Sequence, residues 1–311
     1  MQNLNETIYF IVNPVAGNKG SMIIWEKAED ILISENVSYE VFFTEAKGQA
    51  LRWTKEILMQ TNQKTRIIAV GGDGTLHEVI NGAAAFPHAV IGSIPGGSGN
   101  DYVRGVQKTT DLEEALSLFF CDVSKSLDIG QYKTKGHTGY FMNSIGIGID
   151  AEITYEVDRS PLKKWFNFLK AGKLIYLFIF IRKLFTYKPG PMELTIDGKR
   201  RRFEKVWFIV IANQPYFGGG MKISPKSKLD DGIFEVLAVH DLSLLKVLTV
   251  FLTVLWGGHL NIKNVDSFSG NVISVKDFRA AKVQADGENV GMDEVEVRVL
   301  KEKICVMFKG R

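Results

Sequence analysis

Cysteine is scarce: Cys121 and Cys305 are the two among 311 residues, and they lack metal-ligand spacing. That excludes a disulfide framework and a cysteine metal centre, and leaves two small core residues of a chain in a reducing compartment. The five histidines are scattered, so they offer no metal-ligand pattern either. Net charge is only +3, which advertises no nucleic-acid footprint. No G-x-x-x-x-G-K-[ST] occurs, so this is not a P-loop, and "GGSGND" lacks the spacing of a dinucleotide fingerprint. Repeats and low-complexity segments are missing as well. The start "MQNLNETIYFIV" has neither a basic region nor a cleavage site, so a cytoplasmic rather than a secreted protein is expected. The uninterrupted apolar run Leu174–Ile181 is too short to span a bilayer.

What is present is a full apolar core, with 45% hydrophobic and 23% charged residues. Apolar runs and helical periodicities alternate from the N-terminus. Strands are expected at "TIYFIVNP", "SYEVFFTEA", "TRIIAV" and "AVIGSIP", with helices at "SMIIWEKAEDILISEN", "GQALRWTKEILMQT", "HEVINGAAAF" and "DLEEALSLFF". Such alternation is the signature of a doubly wound parallel sheet. Near Asp128 it stops. Strand patterns then dominate, in "GYFMNSIGIG", "PMELTIDG", "RFEKVWFIVIAN", "IFEVLAVH", "NVISVKDF", "AKVQADGE" and "VEVRVL". They argue for an antiparallel sandwich or barrel, interrupted by helical inserts at 161–186 and 242–257.

Three glycine-bearing loops follow strands of the first half: "NPVAGNKG" (13–20), "GGDGT" (71–75) and "IPGGSGNDYVRG" (94–105). Ligands of open α/β sheets bind at the carboxyl ends of strands. Glycine allows close backbone approach, and a helix start supplies N–H groups for phosphate. Asp73 among the glycines would repel phosphate, which makes sense when Mg²⁺ sits between them. The bland alternative is a tight strand-to-helix turn capped by Asp73. Glu78 and Asn81 read equally well as ordinary first-turn helix residues.

Together the motifs resemble the diacylglycerol kinase catalytic-domain family, as found in soluble bacterial lipid kinases related to sphingosine and ceramide kinases. "NPVAG" (13–17), "GGDGTLHEV" (71–79), "IPGGSGND" (94–101), "LDIG" (127–130), "NSIGIGIDA" (143–151), "NQPYFGGGMKISPKSKLDDG" (213–232) and "ADGE" (285–288) carry the resemblance. It implies an N-terminal Rossmann-like α/β nucleotide domain over 1–130 and a C-terminal antiparallel β-sandwich over 131–295. A return strand in 296–311 would rejoin the first domain, and the active site would lie in the interdomain cleft. It further implies ATP binding by Asn13, Pro14, Val15, Ala16, Gly17, Thr44, Gly71, Gly72, Asp73, Gly74, Thr75, Leu76, His77, Ser98 and Glu288. Many relatives carry Asn where this chain has His77, and His is also common there. Asp286 matches the catalytic base. Asp73, Asp101 and Asp128 match acids that organise the catalytic Mg²⁺. Asp231, with the carbonyls of Lys228 and Ile233, matches a structural Mg²⁺ site. Dimers are common among such relatives, so a homodimer is compatible with the resemblance.

Residue chemistry agrees with the reaction so implied. Phosphoryl transfer needs positioning and neutralised charge, and a carboxylate near an alcohol's proton makes it a better nucleophile. On pattern alone, Asp286-Gly287 and Asp230-Asp231-Gly232 are also natural hairpin turns. The acceptor is read as a membrane lipid, with diacylglycerol foremost and phosphatidylglycerol, a sphingoid base or a polyprenol as alternatives. An NAD kinase shares "GGDGT", but its Asn-Glu pair after that loop has no clear equivalent. A decayed lipid sensor is contradicted by the presence of Asp73, Asp101, Asp231 and Asp286.

From Arg159 to Lys205 thirteen cations face only Glu193, Asp197 and Glu204. Within that stretch, residues 160–190 interleave Trp165, Phe166, Phe168, Tyr176, Phe178 and Phe180 with Lys163, Lys164, Lys170 and Lys173. This suits a surface lying against anionic headgroups, the alternative being a core helix with a basic edge. "LLKVLTVFLTVLWGGHL" (244–260) reads as a buried helix of the second domain, the alternative being the wall of a lipid groove.

Overall fold

Branched, apolar runs become the parallel strands of a first unit, in a computed structural model that describes residues 6–97, 99–107, 109, 111–120, 123–160 and 172–308. These strands are β1 (Ile8–Val12), β2 (Tyr39–Phe43), β3 (Thr65–Gly71), β4 (Ala89–Pro95) and the last part of β15 (Glu294–Met307). They lie in the order β2-β1-β3-β4-β15, each pair parallel. Every residue of β3 is buried, as a central strand covered on both faces requires. Helices α1 (Gly20–Ser34), α2 (Gln49–Met59), α3 (Asp73–Ala83) and α4 (Leu112–Phe120) provide the connections. The spacing of Trp25, Ala28 and Leu32 puts all three on the buried face of α1. Trp25 meets Phe10 at 5.0 Å between ring centroids, so truncating it to alanine should cost about 3–5 kcal/mol.

This unit comprises the residues to Leu127 together with those from Glu302, and a second unit spans Asp128–Lys301. The second is antiparallel. It contains β6 (His137–Phe141), β7 (Ser144–Gly148), β8 (Gly190–Ile196), β9 (Lys199–Ala212), β10 (Phe234–His240), β11 (Val265–Gly270), β12 (Val272–Asp277), β13 (Lys282–Ala285) and β14 (Glu288–Met292), while β5 (Ser124–Thr134) leads into it. One run is β14-β13-β7-β9-β8-β12-β15, and β10 joins β9 to β11. Phe141, Ile209, Phe234, Val275 and Val295 lie in its core. Helices α5 (Ile149–Arg159), α6 (Gly172–Thr186) and α7 (Leu244–Thr253) complete it.

The elements depart from the pattern reading in three places. Helix α3 starts at Asp73, not His77, because Gly72 in extended conformation serves as its N-cap. "GYFMNSIGIG" is two strands, broken at Met142-Asn143, whose N–H groups leave the ladder for a side chain described below. An unforeseen helix, α5, buries Ile149, Ala151 and Val157. Within the expected helical insert at 161–186, Gly172–Thr186 forms α6, and 161–171 lie outside the described residues. The expectations for Ser98, Cys121, Lys163, Lys164, Trp165, Phe166, Phe168, Lys170 and the side chain of Lys173 lie outside the described residues.

The reading of 244–260 as a buried helix is corrected. Val247, Val250 and Val254 are buried, but Leu245, Leu252, Leu255 and Trp256 are exposed, Trp256 by 66%. Helix α7 packs one face into a cluster with β9, β10 and α6, where Phe180 stacks on Phe251 at 4.1 Å, and turns the other to solvent. Among the described residues no helix is long and apolar enough to cross a membrane.

Candidate active site

In the first unit the chain goes from β1 to β2 on one side of β1 and to β3 on the other, so the loops after β1 and β3 stand at a topological switch point. Backbone bonds draw the strand ends together. Asn13 N–H donates to the Val70 carbonyl (2.9 Å), Thr44 N–H to Val12 (2.8 Å) and Gly96 N–H to Gly71 (2.7 Å). The Asn13 side-chain amide donates to Thr75 Oγ1 at 3.3 Å. Two glycines are sterically required here. Gly17 has φ +58°, and a Cβ on it would run into the Gly96 carbonyl. A Cβ on Gly97 would run into Gly72 Cα, so the three loops meet backbone to backbone.

Asp73 opens α3 beside the third loop. Its Oδ1 accepts the Tyr102 N–H at 3.4 Å, and a Cβ on Gly99 would collide with its Oδ2. Next to it, Asp101 is 6% exposed and lies 3.4 Å from Arg104 Nη1. Among the described residues no three His, Cys, Asp or Glu side chains form a metal cluster. A hard cation held by one or two carboxylates and substrate phosphates needs none, so the loops and these two acids fit Mg²⁺ with ATP. Leu76 is buried and offers the site only backbone, and His77 pairs with Asn81 one turn on. Val15 is exposed, while Thr44 is buried at the end of β2. Glu78 has a role that its place in the sequence did not reveal. Its carboxylate accepts Gly48 N–H (2.7 Å) and Ala50 N–H (3.1 Å), capping the start of α2.

In the second unit Asp286 and Gly287 form the two-residue turn between β13 and β14, with φ +50° and +86°. The hairpin reading is therefore right as geometry, and the side chain does more. Its Oδ2 accepts Met142 N–H (2.9 Å), and its Oδ1 accepts Asn143 N–H (2.8 Å) and Ser144 N–H (3.1 Å). These are the donors that interrupt the expected strand. Tyr132 is buried nearby; burial first, then the charges of Asp286 and Glu288, raise its phenol pKa. Glu288 begins β14, opposite Ala285.

Asp128 is 2% exposed and braces the 228–233 loop. It accepts Gly232 N–H on Oδ2 at 2.6 Å and donates its own N–H to the Leu229 carbonyl at 2.7 Å. Asp231 is exposed, its Oδ1 accepting Ile233 N–H at 3.1 Å. One carboxylate with the carbonyls of Lys228 and Ile233 is an all-oxygen donor set, which suits Mg²⁺. Asn213 and Gln214, buried amides given no role on sequence grounds, flank this network; burial was the missing signal.

Asp150, too, has a setting that its place in the sequence does not reveal. Burial pushes its carboxyl up to about 6, opposed by hydrogen bonds from Gln284 and backbone N–H groups. A raised acid holds its proton in the native chain while the unfolded chain loses it at 3.8. Stability should therefore fall as pH rises between those values and level off above the upper one. Asp150→Asn should abolish that fall, which thermal unfolding at pH 4, 5, 6 and 7 would measure. An identical slope in the variant would assign the titration elsewhere.

Two family descriptions match: "Diacylglycerol kinase catalytic domain" over residues 7–132 and "YegS C-terminal NAD kinase beta sandwich-like domain" over 143–308. A protein of Bacillus subtilis (strain 168) named "Putative lipid kinase YtlR" is 31% identical, covering 91% of this chain and 93% of its own. The "Diacylglycerol kinase" of the same organism is also 31% identical, covering 91% and 89%. A solved diacylglycerol kinase structure from Bacillus anthracis str. Sterne shares the fold at TM-score 0.69 and 19% identity, covering 98% and 97% of the two chains.

Proposed function

Since this chain belongs to the diacylglycerol kinase catalytic-domain family and is a lipid kinase, we propose that it transfers the γ-phosphate of ATP to a hydroxyl of a membrane lipid, with diacylglycerol as the acceptor and phosphatidic acid as the product. The observation that carries this reading is the meeting of three loops, backbone to backbone, around the start of α3 with Asp73 at its mouth. Backbone N–H groups of the 13–17 and 71–75 loops would hold the phosphates, and Asp73 and Asp101 would hold Mg²⁺. Bound there, Mg²⁺ supplies charge neutralisation for the phosphates. Asp286 takes the proton from the acceptor hydroxyl. That oxygen forms a bond to the γ-phosphorus as the bond to the β–γ bridging oxygen breaks, and ADP leaves. Asp231 and the carbonyls of Lys228 and Ile233 would hold a second, structural Mg²⁺. The test offers diacylglycerol, phosphatidylglycerol, a sphingoid base and a polyprenol in identical micelles. Diacylglycerol should be phosphorylated fastest; a faster rate on another alcohol would reassign the acceptor.

The same reading includes contact with an anionic bilayer. Exposed Leu177, Phe178, Ile181 and Phe185 on α6 join Leu245, Leu252, Leu255 and Trp256 at α7. Arg182 and Lys183 of α6 pair with Glu152 and Glu156 of α5, whereas Lys188, Lys246 and Lys263 lie in stretches, 187–192 and 242–265, that contain no acid. Apolar groups beside cations suit a headgroup boundary. Leu252→Glu with Trp256→Glu should weaken binding to phosphatidylglycerol vesicles by about tenfold or more, since burying each large side chain contributes roughly 1.5–3 kcal/mol. Activity on a short-chain, water-dispersed substrate should be spared. Equal losses on both substrate forms would make this face part of the fold instead.

A further inference from the structure

Asp286 does not hold its place alone. Its three N–H donors belong to the turn Met142-Asn143-Ser144, and that turn is gripped from behind by the end of β9. Asn213 N–H donates to the Asn143 carbonyl at 2.9 Å. The Asn213 side-chain Nδ2 donates both its hydrogens, one to the Met142 carbonyl and one to the Asp128 carbonyl, each at 2.9 Å. Beside it, Gln214 Nε2 donates to Asn143 Oδ1 (2.7 Å) and to the Tyr216 carbonyl (3.1 Å). Asn213 is 1% exposed and Gln214 fully buried, and Asn213 Oδ1 and Gln214 Oε1 have no hydrogen-bond partner among the described residues.

Burying an amide with an orphaned oxygen is unfavourable, and an apolar side chain would fill the space without that cost. What an apolar side chain cannot do is bridge two carbonyls from separate segments. One of those segments bears Asp128, which braces the 228–233 loop; the other supplies the donors of Asp286. A single –NH₂ group thus ties the loop with the metal-type donor set to the turn that aims the carboxylate.

We propose that Asn213 is a positioning residue for phosphoryl transfer: it fixes the 142–144 turn and, through that turn, the Asp286 carboxylate. This rests on the assignment of Asp286 as the base. It differs from a general packing role in three respects. Loss of Asn213 should act on turnover and leave ATP binding intact, because the ATP loops belong to the first unit. It should matter only while Asp286 is present. It should also loosen the 142–144 amides selectively.

The experiment compares wild type, Asn213→Ala, Asp286→Asn and the double variant on diacylglycerol micelles, with hydrogen exchange of the backbone amides measured alongside. Asn213→Ala should lower kcat about tenfold or more and leave KM for ATP within about twofold. In the Asp286→Asn background the same change should cost less than about twofold, because residues acting as one unit are not additive. Exchange at 142–144 should quicken by about tenfold or more, with β3 unchanged. Should the alanine variant not fold, Asn213→Ser, which retains one donor, should give the same pattern with smaller amplitudes. Wild-type kcat in both Asn213 variants, an equal fold-loss in both backgrounds, or unchanged exchange at 142–144 would each overturn the proposal. Near wild-type kcat in Asp286→Asn would instead remove the base assignment. The exchange result would then decide by itself whether Asn213 fixes the turn.

Discussion

Asp286→Asn should lower lipid phosphorylation by at least about 100-fold, the scale on which a positioned general base contributes. The replacement keeps the size of the side chain and suits the left-handed backbone of the turn, where asparagine is at home. It removes the proton acceptor. It also places an –NH₂ group where one carboxylate oxygen receives Met142 N–H or the other receives Asn143 and Ser144 N–H. At least one buried donor then loses its partner, so a stability cost of about 1–3 kcal/mol should accompany the loss of activity. Turnover and thermal unfolding measured on one preparation separate the two effects. A variant less stable but fully active would make Asp286 a fastener of the hairpin and nothing more.

Gly17→Ala should weaken ATP binding by about 30-fold or more. A Cβ in the left-handed region costs roughly 1–2 kcal/mol. This one also points at the Gly96 carbonyl, and overpacking of that kind costs about 1–3 kcal/mol. The relief available is for the 13–19 loop to move away from the 96–97 loop, which opens the cradle. Gly17, Asn18 and Lys19 are successive left-handed residues, so the loop has little freedom to absorb the change elsewhere. Titration calorimetry with Mg²⁺·ATP reads the effect directly. Unchanged affinity would place the nucleotide away from "NPVAG".

Both substitutions fall in stretches legible as motifs, and the reason is physical. Glycine where backbones touch, and acids among glycines, leave a signature in order and spacing that survives without coordinates. The alternating first half was legible for the same reason, since buried parallel strands must be apolar throughout. What stayed hidden depends on partners distant in the chain. Nothing near Glu78 tells that it caps a helix beginning at Gln49. The break at Met142-Asn143 is set by a carboxylate 143 residues away from Asn143. Asn213 and Gln214 lie within a recognisable motif, yet a buried amide and an exposed one look alike in sequence. The apolar run of α7 reads as core because hydrophobicity alone does not tell which half faces solvent.

Label transfer tests the central claim most directly. The wild-type protein is incubated with Mg²⁺, diacylglycerol micelles and ATP labelled at either the γ- or the α-phosphorus, and the lipid is then extracted into chloroform. Label from γ-labelled ATP should appear in the organic phase as phosphatidic acid, none should come from α-labelled ATP, and Asp286→Asn should suppress the transfer. Label confined to the aqueous phase as inorganic phosphate, with unmodified diacylglycerol recovered, would contradict lipid phosphorylation by this chain.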